Sequence, residues 1–318
     1  MGIENFGVAI LTYNAEPWAR QQIAGLQLAG VTPDQVLVVD SSSRDGTAQI
    51  FRDYGAQVVS IPQSSFNHGG TRRLASEQLA DRDIVVFVTQ DAIPADASSI
   101  KALLSAFEDP TTGMAFGRQL PRAGATAIEA HARLFNYPET SARITQEDAK
   151  RIGSKVIFAS DSFSAYRMDA LRAVGGFPED VIFAEDQIVA ARMLLAGYSK
   201  AYVGEARVYH SHRYTLTEDF KRYFDAGVFH ARNRWLTETF GRSEGEGLRF
   251  VKSELSFLLR TSPFRLAEAC IRTFAKYCGY RTGMAESSLP LPVKRKLSAS
   301  PYYWIGDPAA SIDNDRKQ

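Results

Sequence analysis

The strongest constraint on this chain is a series of short, unbroken apolar runs, each closed by polar residues and most followed by a helix-like stretch. Gly7-Val8-Ala9-Ile10-Leu11-Thr12, Gln35-Val36-Leu37-Val38-Val39-Asp40, Gln57-Val58-Val59-Ser60-Ile61 and Asp83–Thr89 are of this kind. A strand with one wet face alternates apolar and polar residues. One that is apolar throughout is covered on both faces, as in a parallel sheet. Helical stretches from Pro17, over Asp45–Tyr54 and from about Thr71 to Leu79 separate these runs. The alternation predicts an α/β fold with a mostly parallel, doubly wound sheet.

Further along, the pattern predicts a helix over Ala97–Phe107, a strand at Gly113–Gly117, and helix plus loop over Ala123–Lys150. A strand with its continuation follows over Val156–Tyr166. A helix opens at Glu185, carries Ile188, Ala191 and Leu195 on one face and stops at Gly197; Ala201–His210 holds the last strand. Beyond about Thr215, Phe220, Tyr223, Phe224, Val228, Val251, Leu255, Leu258 and Leu259 recur mostly at spacings of three or four, with Arg and Lys interleaved. Residues 1–214 are therefore expected to form the catalytic domain, and 215–318 a mainly helical region.

A chain of 318 residues, 45% of them hydrophobic, can bury a sizeable core. Its net charge of +1 gives no sign of a general nucleic-acid binder. The first residues resemble no signal peptide and no run of about 18 apolar residues occurs, so a cytoplasmic protein is expected. Cys270 and Cys278 lie on one predicted helix without metal spacing and are expected as ordinary buried thiols.

Ligands of a doubly wound sheet bind beyond the carboxyl ends of its strands. Thr12-Tyr13-Asn14, Asp40-Ser41-Ser42 and Thr89-Gln90-Asp91 all fall there. Asp40 can accept an N–H from a pyrimidine ring or cap the following helix; Thr12 and Tyr13 can wall the same pocket. Asp91 is the best candidate for a hard divalent cation, which neutralises a diphosphate. His210 and His212, two apart after a strand, point to one side and can add imidazoles. Asp186, in the first turn of its helix beside Glu185, is the candidate general base. Gly69, Gly70 and Arg72 lead into a helix and suit phosphate oxygens, with His68 beside them for sugar or diphosphate. No G-x-G-x-x-G follows the first strand, which argues against a dinucleotide dehydrogenase.

With these residues together, the chain resembles a family 2 glycosyltransferase of the GT-A fold. More narrowly it is similar to bacterial L-rhamnosyltransferases that use dTDP-L-rhamnose. The resemblance rests on Ala9–Asn14, on Val38-Val39-Asp40-Ser41-Ser42-Ser43-Arg44-Asp45-Gly46-Thr47, on Phe66-Asn67-His68-Gly69-Gly70-Thr71-Arg72 and on Thr89-Gln90-Asp91-Ala92. It implies a base-binding Asp40, a metal-binding Asp91 completed by His210 or His212, and Asp186 as base in the Glu185-Asp186 pair. It also implies donor contacts from Thr12, Tyr13, Asn14, Ser42, His68, Gly69, Gly70, Arg72 and Gln90. The implied reaction is inverting transfer, with Mn2+ or Mg2+, from dTDP-L-rhamnose to a glycan or polyprenyl-linked glycan in surface-polysaccharide (O-antigen) synthesis. Two positions depart from the pattern. Thr89 stands where the broad family has the first carboxylate of Asp-x-Asp, and Arg73 where the rhamnosyl subgroup often has asparagine. A UDP-hexose donor and a non-catalytic nucleotide-sugar-binding scaffold are the competing readings. The basic, aromatic C-terminal helices are expected at a membrane surface, on the catalytic domain or against a second subunit.

Overall fold

The computed structural model describes residues 4–243 and 245–305. The first stretch runs β1 (Phe6–Thr12), α1 (Glu16–Leu28), β2 (Val36–Asp40), α2 (Thr47–Tyr54), β3 (Gln57–Ser60), α3 (His68–Gln78) and β4 (Ile84–Thr89). Then come β5 (Ile93–Pro94), α4 (Ser99–Ser105), β6 (Thr112–Leu120), α5 (Ala127–Asn136), β7 (Ala142–Ile144), α6 (Ala149–Ile152), β8 (Phe163–Arg167) and α7 (Met168–Ala173). The remainder is α8 (Glu185–Leu195), β9 (Ser199–Tyr209), α9 (Leu216–Arg232), α10 (Arg234–Phe240), α11 (Glu246–Thr261), α12 (Leu266–Met284) and α13 (Leu291–Leu297).

The strands form one nine-stranded sheet in the order β3-β2-β1-β4-β8-β6-β9-β5, with β7 also on β9. β1 pairs in parallel with β2 and β4, β2 with β3, and β6 with β9. β8 runs antiparallel to both its neighbours, β4 and β6. The sheet is thus mixed: the long strands share one direction except β8, and the short β5 and β7 are also reversed. The reversal of β8 has a consequence for the site, because residues before β8 lie at the edge where the others end.

The apolar runs are buried as their composition demands. Val8, Ile10, Val36, Val38, Val86 and Val88 join Leu26 of α1, Phe51 of α2 and Leu103 of α4 in one core. Phe87, Tyr166 and Phe177 pack edge to face on one another at 5.1 to 5.8 Å. β6 and β9 slip register between Gly117 and Arg118, where β9 jumps from Val203 to Arg207. A bulge of this kind re-aims the residues beyond it. Here it brings Gln119 opposite Val208 and carries the ladder on to His210, whose N–H donates to the Leu120 carbonyl.

Several element boundaries differ from the sequence reading, among them β7 inside the stretch expected as helix plus loop and β6 running on to Leu120, and two others bear directly on the site. α3 begins at His68, because the Asn67 side chain caps it by accepting the Gly70 N–H at 2.6 Å. The glycine pair is therefore the first helical turn, not a loop before it. Residues 153–157 form a tight 3-10 turn, so β8 starts only at Phe163 and Asp161 stands in the loop ahead of it.

The chain divides into two compact units. The first takes the residues up to Glu179, then Glu185–His212, and resumes at Phe240. The second takes Asp180–Ala184, Arg213–Thr239 and the described chain from Gly245. The second unit is helical. α9 opens with a capping box in which Thr215 and Glu218 satisfy each other's backbone amides. α12 lies directly on α9 because glycines stand at the crossing. A Cβ on Gly279 would meet the Phe220 carbonyl oxygen at 2.3 Å, and one on Gly283 the Phe224 carbonyl oxygen at 2.0 Å. Phe224, Val228, Leu258 and Trp304 are fully buried in this unit. Cys270 is exposed and Cys278 half-buried, against the expectation of buried thiols, because both lie on the side of α12 turned away from α9.

Candidate active site

β1 and β2 end on two loops that hydrogen bonds tie together. Thr12 Oγ1 donates to Asp40 Oδ1 at 2.9 Å, and the Ser43 N–H to Asp40 Oδ2 at 2.9 Å. The Asn14 N–H donates to Ser43 Oγ, and Asn14 Oδ1 accepts the Arg44 N–H, each at 2.9 Å. Asn14 and Ser42 hold φ values of 47° and 57°, a left-handed conformation that non-glycine residues rarely adopt and that clusters at functional loops. Ser42 Oγ donates to the Ile61 carbonyl. Gln90 Oε1 accepts the Tyr13 N–H at 2.8 Å and joins the β4 end to the β1 end. Asp40 is 2% exposed and builds this loop. By acceptor count Oδ2 keeps a lone pair for a base.

Asp91, one residue further, is 9% exposed. His210 Nε2 lies 3.4 Å from its Oδ1 and His212 Nδ1 3.6 Å from its Oδ2. One ligand atom of each of these three residues lies within 4.8 Å of the other two. Arg122, its guanidinium 4.1 Å from the Trp18 ring centre, donates to Asp91 Oδ2 at 3.0 Å. Burial works to raise the Asp91 pKa, but contacts with His210 and His212 and the Arg122 charge overcome it. The carboxyl is held well below its usual range.

The tautomer of His210 follows from its neighbours. Arg133 Nη1 faces Gln119 Oε1; a guanidinium has no acceptor, so the amide atom there is oxygen. The same oxygen lies 2.8 Å from His210 Nδ1, which must therefore donate. Burial lowers the pKa of His210 and favours the neutral ring. Nε2 then presents a lone pair to the Asp91 carboxylate oxygen at 3.4 Å. A proton on Nε2 would join the two groups and lower the Asp91 pKa, and a divalent cation in its place would be held by both. Donor set, spacing and tautomer all fit a divalent ion.

The third part of the site was only half expected. Asp186 Oδ2 accepts the Asp161 N–H at 3.1 Å. Asp161, 3% exposed, also accepts from Ser164 Oγ and Tyr166 OH. Its neighbour Ser160 accepts from Gln119 Nε2 at 2.8 Å. Side chains and backbone thus link Asp91 through His210, Gln119, Ser160 and Asp161 to Asp186, on one edge of one sheet. Burial raises the Asp186 pKa well above the usual carboxylate value, and Asp161 and Glu185 add to the rise; Arg72 opposes it.

The Gly-Gly-Thr-Arg motif does something other than expected. Arg72 is 5% exposed, and its guanidinium lies between Asp161, Nε to Oδ2 at 2.9 Å, and Glu185. Committed to two buried carboxylates, it is not a phosphate ligand here. Gly69 is needed because a Cβ would sit 1.6 Å from the Pro178 carbonyl oxygen, and the Gly70 N–H is taken by Asn67. Arg73 donates to the Phe177 carbonyl at 2.8 Å and to the Gly175 carbonyl at 3.2 Å. The motif is a clamp on the segment leading to Glu185 and Asp186. Glu185, 4% exposed and paired with Arg72, positions this segment and does not face a substrate as a base. His68 stacks edge-on against Phe66 at 5.1 Å, its Nδ1 3.5 Å from Arg72.

Sequence reasoning missed Asp161, Gln119, Arg122 and Lys200. Lys200 is 1% exposed on β9 and donates to the Phe158 carbonyl; burial lowers its pKa to about 7, and Asp186 partly opposes this. An acidic residue in Ser160-Asp161-Ser162 and a lysine inside an apolar strand were the available signals.

The model of glycosyl transferase family 2 matches residues 7–175. The chain is 44% identical over 296 residues to the O-antigen chain rhamnosyltransferase RfbN of Salmonella typhimurium, covering 93% of this chain and 94% of that one. It is 44% identical over 302 residues to the O-antigen chain rhamnosyltransferase WbaN of Salmonella anatum, covering 94% and 96%. The fold is similar to that of a mannosyltransferase from Pyrobaculum calidifontis in complex with GDP-Man and Mn2+, with TM-score 0.55, 19% identity and coverage of 99% and 88%. Residues 1–349 of Staphylococcus aureus TarS, in complex with UDP-GlcNAc, give TM-score 0.51, 18% identity and coverage of 89% and 91%. By sequence and fold, the chain belongs to glycosyl transferase family 2 and is a glycosyltransferase of the GT-A fold.

Proposed function

We propose that this protein is an inverting rhamnosyltransferase that moves L-rhamnose from dTDP-L-rhamnose to a hydroxyl of a lipid-linked glycan during O-antigen synthesis. We place it at the cytoplasmic face of the cell membrane. The names of the relatives at 44% identity support the sugar and the pathway. The observation that carries the chemistry is the linkage of Asp91, His210 and His212 to Asp186 along one sheet edge.

Asp91, His210 and His212 are the residues that would hold a divalent cation, Mn2+ or Mg2+, which when bound neutralises the diphosphate of the donor. The loops carrying Thr12, Tyr13, Asn14, Asp40 and Ser42 would hold the thymidine, with Gln90 tying them to β4. Asp186 takes the proton of the acceptor hydroxyl as that oxygen bonds to the anomeric carbon. The bond from that carbon to the diphosphate oxygen breaks, and its electron pair leaves with dTDP. Attack opposite the leaving group inverts the centre. Arg72 holds Glu185 and Asp161 so that Asp186 keeps its place.

The test is release of nucleotide from dTDP-L-rhamnose and from UDP-hexoses, with Mn2+ or Mg2+ and lipid-linked glycan acceptors. Turnover of dTDP-L-rhamnose alone, with an inverted linkage by NMR, is expected. Preferred turnover of a UDP-hexose overturns the donor assignment. Binding without turnover of any donor favours a scaffold.

A further inference from the structure

The second unit carries an exposed apolar surface. One side of α12 lies on α9 through Gly279 and Gly283. The opposite side exposes Ile271, Phe274 and Tyr277 at 55, 68 and 58%, and Phe264, just before the helix, is 79% exposed. Positions 267, 270, 271, 274, 277, 278 and 281 share this face at helical spacing, and its only charged residue is Arg281. The neighbouring α11 exposes Leu248 and Leu259 at 60 and 62%, with Lys252 between them on the same side. Large apolar side chains this open mark a surface that something covers.

The charge says what. Residues 245–305 hold ten Lys and Arg against four Asp and Glu, a net of +6 in a chain whose total is +1. All four acids are neutralised or hidden. Glu246 pairs with Arg249, Glu268 with Arg265 and Arg272, and Glu286 with Arg232 and Lys294; Glu254 is 3% exposed. Lys252, Arg260, Arg281, Arg295 and Lys296 are exposed, and none has a carboxylate partner among the described residues. Isolated cations interleaved with aromatic and aliphatic side chains, and no free acid among them, match the headgroup layer of an anionic bilayer. A self-associating face would leave these like charges opposed. No described helix is long and apolar enough to cross a membrane.

We propose that the exposed faces of α11 and α12 dock the enzyme on an anionic lipid surface. Phe264, Ile271, Phe274 and Tyr277 enter the interface, and Lys252, Arg260 and Arg281 meet lipid phosphates. This deepens the reading above, since it rests on an acceptor held in a membrane.

The experiment is flotation of the full chain with phosphatidylcholine vesicles and with vesicles that also contain phosphatidylglycerol, together with donor turnover in lipid-free buffer. Binding is expected to the anionic vesicles only, to weaken with salt, and to fall roughly tenfold or more in Ile271→Ser/Phe274→Ser/Tyr277→Ser and in Lys252→Glu/Arg260→Glu/Arg281→Glu. Lipid-free turnover and circular dichroism should match wild type in both. Wild-type protein that does not float overturns the proposal, as does equal binding to neutral vesicles. So does concentration-dependent dimerisation, lost in the apolar variant, in protein that fails to float. Flotation without dTDP-L-rhamnose turnover instead leaves the docking surface standing and removes the functional reading.

Discussion

Replacing Gln119 by methionine keeps its length and removes its acceptor. His210 Nδ1–H then points at no partner in a site only 5% exposed. An orphaned buried donor costs about 1–3 kcal/mol. The ring escapes this by moving its proton to Nε2, where Asp91 Oδ1 waits at 3.4 Å. That closes the nitrogen a metal would use, so metal must first reverse the shift. Loss of a partner that orients a metal-binding histidine typically lowers affinity about 10- to 100-fold, which is about 1.4–2.7 kcal/mol and agrees with the orphan cost. The assay is a Mn2+ titration of the protein without sugar nucleotide, free Mn2+ being read by electron paramagnetic resonance. Gln119→Glu keeps an acceptor for both His210 and Arg133, and should retain affinity within roughly threefold by the same reasoning. A folded Met variant that binds Mn2+ like wild type refutes the tautomer argument. A Glu variant as weak as Met shows that the acceptor is not the cause.

Three other outcomes are expected. Asp186→Asn should lower transfer by about 10²–10⁴-fold, and in wild type the raised Asp186 pKa should place the acid limb of kcat/KM above the ordinary carboxylate range; an Asn variant as fast as wild type removes Asp186 as the base. Arg72→Met leaves Glu185 and Asp161 buried without their cation and should cost about 3–5 kcal/mol in urea unfolding, whereas a phosphate ligand would raise the donor KM and leave stability nearly unchanged. Lys200 has its folded pKa depressed from 10.5 to about 7, so between those values the unfolded chain binds more protons and stability rises with pH. Removing the charge with Lys200→Met should therefore stabilise by up to about 5 kcal/mol at pH near 6, with the gain fading above pH 10; a gain independent of pH refutes it.

Much of the architecture is legible in the amino-acid sequence. Apolar runs such as Val36–Val39 and Ile84–Val88 are buried on both faces for the reason their composition implies. Their polar ends, Thr12, Asp40 and Asp91, gather at one edge because β1, β2 and β4 are parallel. Two histidines at i, i+2 do reach the carboxylate they were expected to join.

The amino-acid sequence by itself determined the strand-and-helix alternation, the edge that carries the chemistry and most of its titratable residues. Those follow from local periodicity and from the one-directional logic of a parallel sheet. Tertiary structure decided three further matters. β8 is reversed, so Asp161 reaches the working edge from the front of a strand, where a parallel-sheet rule does not look. Arg72 faces two carboxylates, Glu185 being 113 residues away, and not a phosphate. The bulge between β6 and β9 sets Gln119 against His210. Each is a pairing between distant segments, and local pattern carries no information about which distant partner a buried charge will meet.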